Sequence, residues 1–197
     1  MKLLVIYGSP DNTGNSYILA GHLVKSAEAE GAEVKSANIY DHRITDVWPD
    51  YFGDALQNNF TKAEGDDMPA LKDKMMGSDI IVLVTPVYWY QVSGKMKTFL
   101  DRWSDTINPD FSSDLAGKGL ALVSTHSGIN LINSSNLLQA AMEGTARFLG
   151  MHWMGGVDAP IQMPMTSGPG EGHFKLAEDF GGKLARGENL LGMKTLS

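Results

Sequence analysis

The sequence predicts an α/β fold in which a parallel sheet is covered by helices on both faces. Short apolar runs alternate along the chain with segments of helical periodicity, the pattern of repeated strand–helix units. Residues 80–84 are apolar at every position, as expected of a strand with both faces buried. The 197 residues are enough for one well-packed domain, and we expect a single domain over residues 1–197.

Strands and helices are predicted to alternate from the first residues to the last helix. The strand candidates are residues 2–7, 33–39, 79–85, 119–124 and 152–157. The helix candidates lie within residues 15–31, 66–77, 92–103, 134–149 and 174–184. Five parallel strands in a chain of this length indicate the strand order 2-1-3-4-5. Residues 40–65 are less regular, and their aromatic side chains predict a packed surface excursion.

The buried face of each helix follows from the spacing of its apolar residues. In the first helix Ile18, Leu23 and Ala27 are predicted to share one face. In the last helix Gly181 and Gly182 interrupt the pattern, and each is expected to weaken the helix by about 1 kcal/mol relative to alanine.

Composition excludes several classes of function. A net charge of −7 without clustered Lys and Arg argues against nucleic-acid binding. The absence of cysteine removes disulfides, thiolate nucleophiles and Cys-held clusters. We expect no metal site, because Asp66 and Asp67 suit a helix cap and these histidines lack ligand spacing: His22, His42, His152 and His173. Residues 3–7 are too short for a signal-peptide core or a membrane span, so a cytoplasmic protein without membrane contact is expected.

Ligands of an open parallel sheet bind beyond the carboxyl ends of the strands, where the strand order reverses. Three loops are predicted to meet there, at residues 8–16, 85–94 and 124–130. The first loop carries hydroxyl and amide groups ahead of a helix start, which suits either a phosphate or an ordinary strand–helix turn. It lacks the Gly-Lys-[Ser/Thr] end of a Walker loop and the Gly-x-Gly-x-x-Gly pattern of a nicotinamide site.

The second and third loops carry aromatic and titratable side chains. Tyr88, Trp89 and Tyr90 follow a buried strand directly, so they either flank a planar ligand or pack against a neighbouring loop or subunit. His126 in the third loop is a candidate for acid–base chemistry, with a hydrogen-bonding surface residue as the alternative.

Taken in order, these motifs resemble those of one family. Gly8-Ser9-Pro10 with Gly14-Asn15-Ser16 is similar to the Gly-Ser-Pro-x-x-x-Gly-Asn-Thr loop of the NAD(P)H-dependent FMN reductase and quinone reductase superfamily. Asp66-Asp67-Met68 resembles its Asp-Asp-Met helix start, and residues 85–102 resemble its Thr-Pro-x-Tyr-Trp and Ser-Gly-x-x-Lys-x-x-x-Asp-Arg signature. The resemblance covers residues 1 to about 128 and implies the three-layer, flavodoxin-like α/β fold.

The resemblance implies bound FMN, with NADH or NADPH as electron donor and a quinone, free flavin or similar small molecule as acceptor. It assigns cofactor contacts by position: Ser9, Asn15 and Ser16 to the phosphate, Pro86, Val87, Tyr88 and Trp89 to the isoalloxazine, and Thr125 and Gly128 to its other side. Backbone N–H groups of the aromatic loop are expected at the polar edge of the flavin. Tyr88 and His126 are candidates to give a hydrogen bond or a proton to the acceptor. A homodimer or a dimer of dimers is also implied.

The chain departs from the family pattern in two places. Asp11 stands where many relatives have Arg or Lys, so we expect its carboxylate to point to solvent and the affinity for phosphate to be lowered. No cysteine precedes the Asp-Asp-Met motif, which excludes the iron–sulfur branch. Asp101 and Arg102 are expected to form structural ion pairs. A flavodoxin-type electron carrier and a flavodoxin-fold binding domain without cofactor stay open as alternatives.

Overall fold

A computed structural model describes residues 1–127, 134–161 and 168–196. The strands are β1 (Lys2–Tyr7), β2 (Glu33–Asn38), β3 (Ile80–Pro86), β4 (Gly119–His126) and β5 (His152–Pro160). The α-helices are α1 (Asn15–Ala29), α2 (Tyr51–Leu56), α3 (Met68–Met76), α4 (Gly94–Asp101), α5 (Ser134–Phe148) and α6 (Glu171–Ala185). Short 3-10 helices cover Ile39–Asp41, Thr61–Ala63 and Arg102–Thr106. None of these helices is long and apolar enough to cross a membrane.

The strands form one parallel sheet in the order β2-β1-β3-β4-β5. The predicted fold class and strand order are confirmed. The strand order reverses between β1 and β3, which pair from Leu3 opposite Ile80 to Tyr7 opposite Val84. The carboxyl ends of β1, β3 and β4 therefore lie side by side at one edge of the sheet.

Helices cover both faces of the sheet and enclose two apolar cores. One core lies under α1 and α6 and includes Leu19, Leu23 and Phe180. The other lies under α3, α4 and α5 and includes Phe99 and Leu138. Alternate residues of each strand enter opposite cores because successive side chains point to opposite faces of a sheet. The result is the predicted three-layer arrangement.

Two strands continue by two or three residues beyond their predicted ends. β4 reaches His126 instead of residue 124, and β5 reaches Pro160 instead of residue 157. The two strands support each other, since Thr125 pairs with Ala159 and His126 pairs with Pro160. Thr125 and His126 thus belong to the end of a strand and not to a loop.

The close packing of α6 on α1 explains the glycine at position 181. A Cβ atom added to Gly181 would lie 2.2 Å from the carbonyl oxygen of Leu23, so only glycine fits at this contact. The prediction that Ile18 is buried was wrong, because its side chain is 43% exposed while Ala20 is buried. The buried face of α1 is rotated toward α6, a packing choice that periodicity alone does not specify.

A buried ionic cluster holds the excursion of residues 40–65 against the sheet layer. The guanidinium of Arg102 is 1% exposed and pairs with Asp66 and with Oδ2 of Asp105, the latter at 2.8 Å. The hydroxyl of Tyr51 donates to Oδ1 of Asp105, and Nη1 of Arg102 donates to the carbonyl of Thr45 at 2.9 Å. We call Arg102, Asp66, Asp105 and Tyr51 the Arg102 cluster. Here Arg102 forms the structural pairs expected of it.

Candidate functional site

A cavity of about 550 Å³ opens at the carboxyl edge of β1, β3 and β4. This volume falls within the usual range for small-molecule sites, about 300–1,000 Å³. Its described lining residues are Ser9, Pro10, Asp11, Gly14, Asn15, Ser16, Pro86, Val87, Tyr88, Trp89, Thr125, His126, Ser127 and Ile161. The structure thus brings the predicted site residues to one cavity, apart from Gly128, which lies outside the described residues.

One end of the cavity is built by the start of α1. Gly14 is the N-cap residue and makes no side-chain cap. The N–H groups of Asn15, Ser16 and Tyr17 therefore have no acceptor within the helix, and they carry the positive end of its dipole. The side chains of Ser9 and Ser16 are buried beside them. This donor set fits the phosphate of a mononucleotide.

Asp11 organises the loop that leads into this helix. Its Oδ1 accepts hydrogen bonds from the backbone N and from Oγ1 of Thr13, at 2.8 and 2.7 Å. These bonds from Thr13 lower the pKa of the exposed Asp11 carboxyl, which therefore stays ionised. The carboxylate is exposed, as expected, yet it also lines the cavity. Asp11 thus occupies the two Thr13 donors and adds a negative charge to the cavity close to the start of α1.

Hydrogen bonds tie the three loops of the cavity together. Oγ of Ser93 donates to the carbonyl of Gly8 at 2.6 Å, which joins the second loop to the first. The backbone N of Val87 donates to the carbonyl of Thr125 at 2.8 Å, which joins the second loop to β4. The relative positions of the cavity walls are therefore set by contacts inside the protein.

The aromatic loop is a tight hairpin with an unusual backbone. Tyr88 and Gln91 exchange two backbone hydrogen bonds of 3.0 Å, and the residues between them, Trp89 and Tyr90, have φ angles of 53° and 66°. Two positive φ angles define a turn that normally uses Asn and Gly, and each costs a larger residue about 1–2 kcal/mol. The side chain of Trp89 is 94% exposed. The N–H groups of Val87 and Tyr88 donate within the protein, to the carbonyls of Thr125 and Gln91.

His126 is held at the cavity by two residues from neighbouring elements. Its side chain is 9% exposed, and its Nε2 lies 3.2 Å from Oδ2 of Asp158 at the end of β5. Nε2 of Gln139, on α5, donates to Oδ1 of Asp158 at 3.2 Å. We call Gln139, Asp158 and His126 the His126 chain. It leads from the layer of α5 to the cavity wall.

Sequence reasoning missed several residues of this site. Asp158 lies past the predicted end of the fifth strand, and Gln139 was one polar residue on an amphipathic helix. Ile161 closes the cavity beyond β5. A Cβ atom on Gly168 would lie 2.8 Å from Oδ1 of Asn15, so the chain ahead of α6 approaches the start of α1. The alternation of Val157 and Ala159 with polar Asp158 was the one signal that the strand continued.

The described residues, with gaps at 128–133 and 162–167, contain no group of three or more His, Asp or Glu side chains arranged to hold a metal ion.

A sheet of order 2-1-3-4-5 with a cavity at its reversal point, lined by a helix start and an aromatic loop, defines a flavodoxin-like protein. Residues 1–162 match the sequence profile of the NADPH-dependent FMN reductase family. The chain belongs to this family and is an oxidoreductase of the flavin-dependent class. The predictions of the superfamily and of FMN as its cofactor are confirmed.

Individual relatives agree with this assignment. YwqN of Bacillus subtilis (strain 168), named as an NAD(P)H-dependent FMN-containing oxidoreductase, is 29% identical over 159 residues, or 79% of this chain and 82% of that protein. An NADPH azoreductase of Bacillus sp. (strain OY1-2) is 29% identical over 150 residues, or 74% of this chain and 72% of the azoreductase. The FMN complex of an FMN-dependent NADH-azoreductase from Bacillus anthracis superposes with a TM-score of 0.70 at 17% identity, covering 94% of this chain and 100% of the other. This last likeness shows the shared fold.

Proposed function

We propose that this protein uses NADH or NADPH to reduce a small planar acceptor, with a quinone, an azo compound or free flavin as the candidate classes. The observation that carries the proposal is that one cavity joins the start of α1 to the aromatic hairpin. Bound FMN supplies the hydride chemistry. The named activities of the azoreductase relatives support an acceptor of this kind. The homodimer and the cytoplasmic location stay predictions.

The phosphate end would hold FMN with neutral donors. Ser9, Asn15 and Ser16 provide side-chain and backbone donors at the start of α1. The described lining residues include neither lysine nor arginine, so the helix dipole and the hydrogen bonds carry the attraction. Asp11 opposes it, and for this reason we expect a lower affinity than a cationic loop would give.

The walls around the ring would come from two strand ends. Pro86, Val87, Tyr88 and Trp89 line one side of the cavity and Thr125 lines the other. Gly128 is assigned to this wall by the resemblance alone. Stacking against aromatic and aliphatic side chains orients a planar ring, and orientation supplies much of the rate of a transfer between stacked molecules.

Tyr88 and His126 are the titratable groups proposed to meet the acceptor. Both line the cavity, and the side chain of Tyr88 is about half exposed whereas that of His126 is 9% exposed. Each can donate a hydrogen bond to a carbonyl or azo nitrogen. His126 is the stronger candidate for moving a proton, because neighbouring side chains hold its ring in place.

The first experiment is an anaerobic titration of the FMN-loaded protein with NADH and with NADPH, followed by turnover with a quinone, an azo dye and free FMN. We expect a yellow protein that the nicotinamide bleaches and at least one acceptor recolours. Failure to take up FMN would overturn the proposal. Uptake of FMN without bleaching would instead identify an electron carrier.

The cradle is tested by Ser16→Ala, with Ser36→Ala on β2 as the matched control. Loss of one hydrogen bond to a charged phosphate weakens binding by about 1.5 kcal/mol, which is roughly tenfold in Kd. Ser36 is exposed and is absent from the cavity lining, so its variant should bind FMN as the parent does. Equal Kd values for the two variants would contradict the placement of the phosphate.

A further inference from the structure

We propose that the site selects its acceptor by charge: it takes an uncharged or cationic planar molecule and rejects an anionic one, with Asp11 as a specificity-determining residue. This inference rests on the proposed function and narrows its acceptor classes. It follows from the charges that line the cavity, from the charge that the cofactor brings and from the size of the cavity.

The described cavity lining carries a carboxylate and no permanent cation. Asp11 is one of the lining residues, and these include neither lysine nor arginine. The two hydrogen bonds from Thr13 lower the pKa of the Asp11 carboxyl, so this group is ionised at neutral pH. Oδ2 of Asp11 lies 3.2 Å from the position that a Cβ atom on Gly14 would take. The negative charge is therefore held against the residue that begins α1.

The segments outside the described residues bring no compensating charge. Residues 128–133 and 162–167 contain no Lys, Arg, His, Asp or Glu in the sequence. Among the described lining residues His126 alone can take up a positive charge, and Asp158, 3.2 Å from its Nε2, balances that charge. The side chains at the site therefore carry a net negative charge.

Bound FMN adds further negative charge. A phosphate monoester carries about −1.5 to −2 at neutral pH. The side chains assigned to it, on Ser9, Asn15 and Ser16, are neutral donors, and the helix dipole contributes only about half a positive charge. The loaded site is therefore more negative than the empty one.

The cavity is small enough for these charges to act on any molecule inside it. A volume of about 550 Å³ corresponds to a compact space roughly 10 Å across, which is close to one Debye length at physiological salt. An anionic group on the acceptor is repelled over this distance and a cationic group is attracted. Carbonyl and azo groups are themselves uncharged, so their reduction does not require an ionised acceptor. Among free flavins the same argument favours riboflavin over FMN.

The test uses three azo dyes that share one dimethylaminoazobenzene core. The para position of the outer ring carries hydrogen in the first dye, a sulfonate in the second and a trimethylammonium group in the third. Both charged groups are bulky and both withdraw electrons, so a steric or electronic preference would shift the two charged dyes in the same direction. Selection by charge shifts them in opposite directions.

The readouts are the Kd of each dye for the oxidised, FMN-loaded protein and kcat/KM with excess nicotinamide. At low salt we expect the sulfonate dye to bind at least about tenfold more weakly than the trimethylammonium dye, with the uncharged dye between them. The ratio of the two Kd values should shrink as salt is added, and it should be smaller for the apoprotein, which lacks the phosphate. The kcat/KM values should follow the same order.

Asp11→Asn tests the residue itself, and Asp110→Asn is the matched control. The amide keeps an acceptor for Thr13 and removes the charge, so the ratio of the two Kd values should narrow by about threefold. Asp110 makes the same two hydrogen bonds to Ser112 and is absent from the cavity lining, so its variant should keep the ratio of the parent.

Riboflavin and FMN are a second matched pair of acceptors. They share one ring system and differ by the phosphate, so we expect riboflavin to have the higher kcat/KM with the FMN-loaded protein.

Two results would overturn the inference: a sulfonate dye that binds as tightly as the trimethylammonium dye, or an equal narrowing of the ratio in Asp11→Asn and Asp110→Asn. A protein that nicotinamide does not bleach would count against the proposed function. The Kd values of the dyes are measured before nicotinamide is added, so they would still decide whether the site selects by charge.

Discussion

The Arg102 cluster and the His126 chain both pair aspartates with basic side chains. They differ in how deeply the side chains are buried and in which basic residue the aspartate faces. In the Arg102 cluster the side chains of Arg102 and Asp66 are each 1% exposed, and the partner is a permanent cation. In the His126 chain Asp158 is 26% exposed, and the partner is the imidazole ring of a residue that lines the cavity. The first arrangement suits a structural role, whereas the second lies at the wall of the candidate site.

The electrostatics of the Arg102 cluster explain its fixed charge. Burial acts to lower the pKa of Arg102, but the hydrogen bonds with Asp105 and Asp66 outweigh it, so the pKa is raised overall. Burial also raises the pKa of Tyr51, and the hydrogen bond to Asp105 raises it further. Each group therefore keeps one protonation state over the physiological range, which suits a structural role.

The largest effect is expected from breaking the enclosed cluster with Arg102→Met. Removal of the guanidinium leaves Asp66 and Asp105 buried without their cation, which should lower the free energy of unfolding by about 3–5 kcal/mol. Urea denaturation measures the loss. Lys97→Met is the control, because its pair with Asp101 is exposed and should contribute at most about 1 kcal/mol. Similar losses in both variants would remove the distinction between enclosed and exposed pairs.

A smaller effect is expected from Tyr51→Phe, and it should depend on pH. Loss of the hydrogen bond to Asp105 should cost about 1.5–3 kcal/mol at neutral pH. The raised pKa of Tyr51 means that the folded protein keeps this proton after the unfolded chain has released it, at a pH near 10. The advantage of the parent over Tyr51→Phe is therefore complete below about pH 10 and falls as the pH rises further. Unfolding curves from about pH 8 to 11 measure the difference in free energy of unfolding between the two proteins. A difference that does not change with pH would contradict the link to the Tyr51 proton.

The smallest effect is expected at the open cavity, from Asp11→Asn. The amide keeps an acceptor for Thr13 but removes the charge near the FMN phosphate, so Kd for FMN should fall by about threefold to tenfold. Fluorescence titration at two salt concentrations measures the Kd for FMN, and the gain in affinity should be smaller at the higher salt concentration. Asp110→Asn is a matched control, since Asp110 makes the same two bonds to Ser112 and is absent from the cavity lining. An equally large gain in FMN affinity in Asp110→Asn would show that the change in net charge alone causes the effect.

Local signals predicted the sheet and most of the cavity. The apolar run at 80–84 and the small polar residues ahead of α1 identify a buried strand and a helix start without reference to other parts of the chain. Strand ends were harder to predict, because Thr125 and His126 belong to β4 only through their pairing with β5. The backbone N–H groups of Val87 and Tyr88 illustrate the same limit, since their acceptors emerge only when the loops fold.

By itself the amino-acid sequence determined the α/β class, the strand order, the flavin-dependent family and the loops that meet at the cavity. These depend on periodicity and on short motifs, which are properties of neighbouring residues. Only the tertiary structure decided that Arg102 is buried with Asp66 and Asp105, and that Asp158 and Gln139 stand behind His126. Hydrogen bonds and ion pairs join side chains that are close in space. Arg102 and Asp66 lie 36 positions apart in the sequence, so no local sequence pattern indicates that they are in contact.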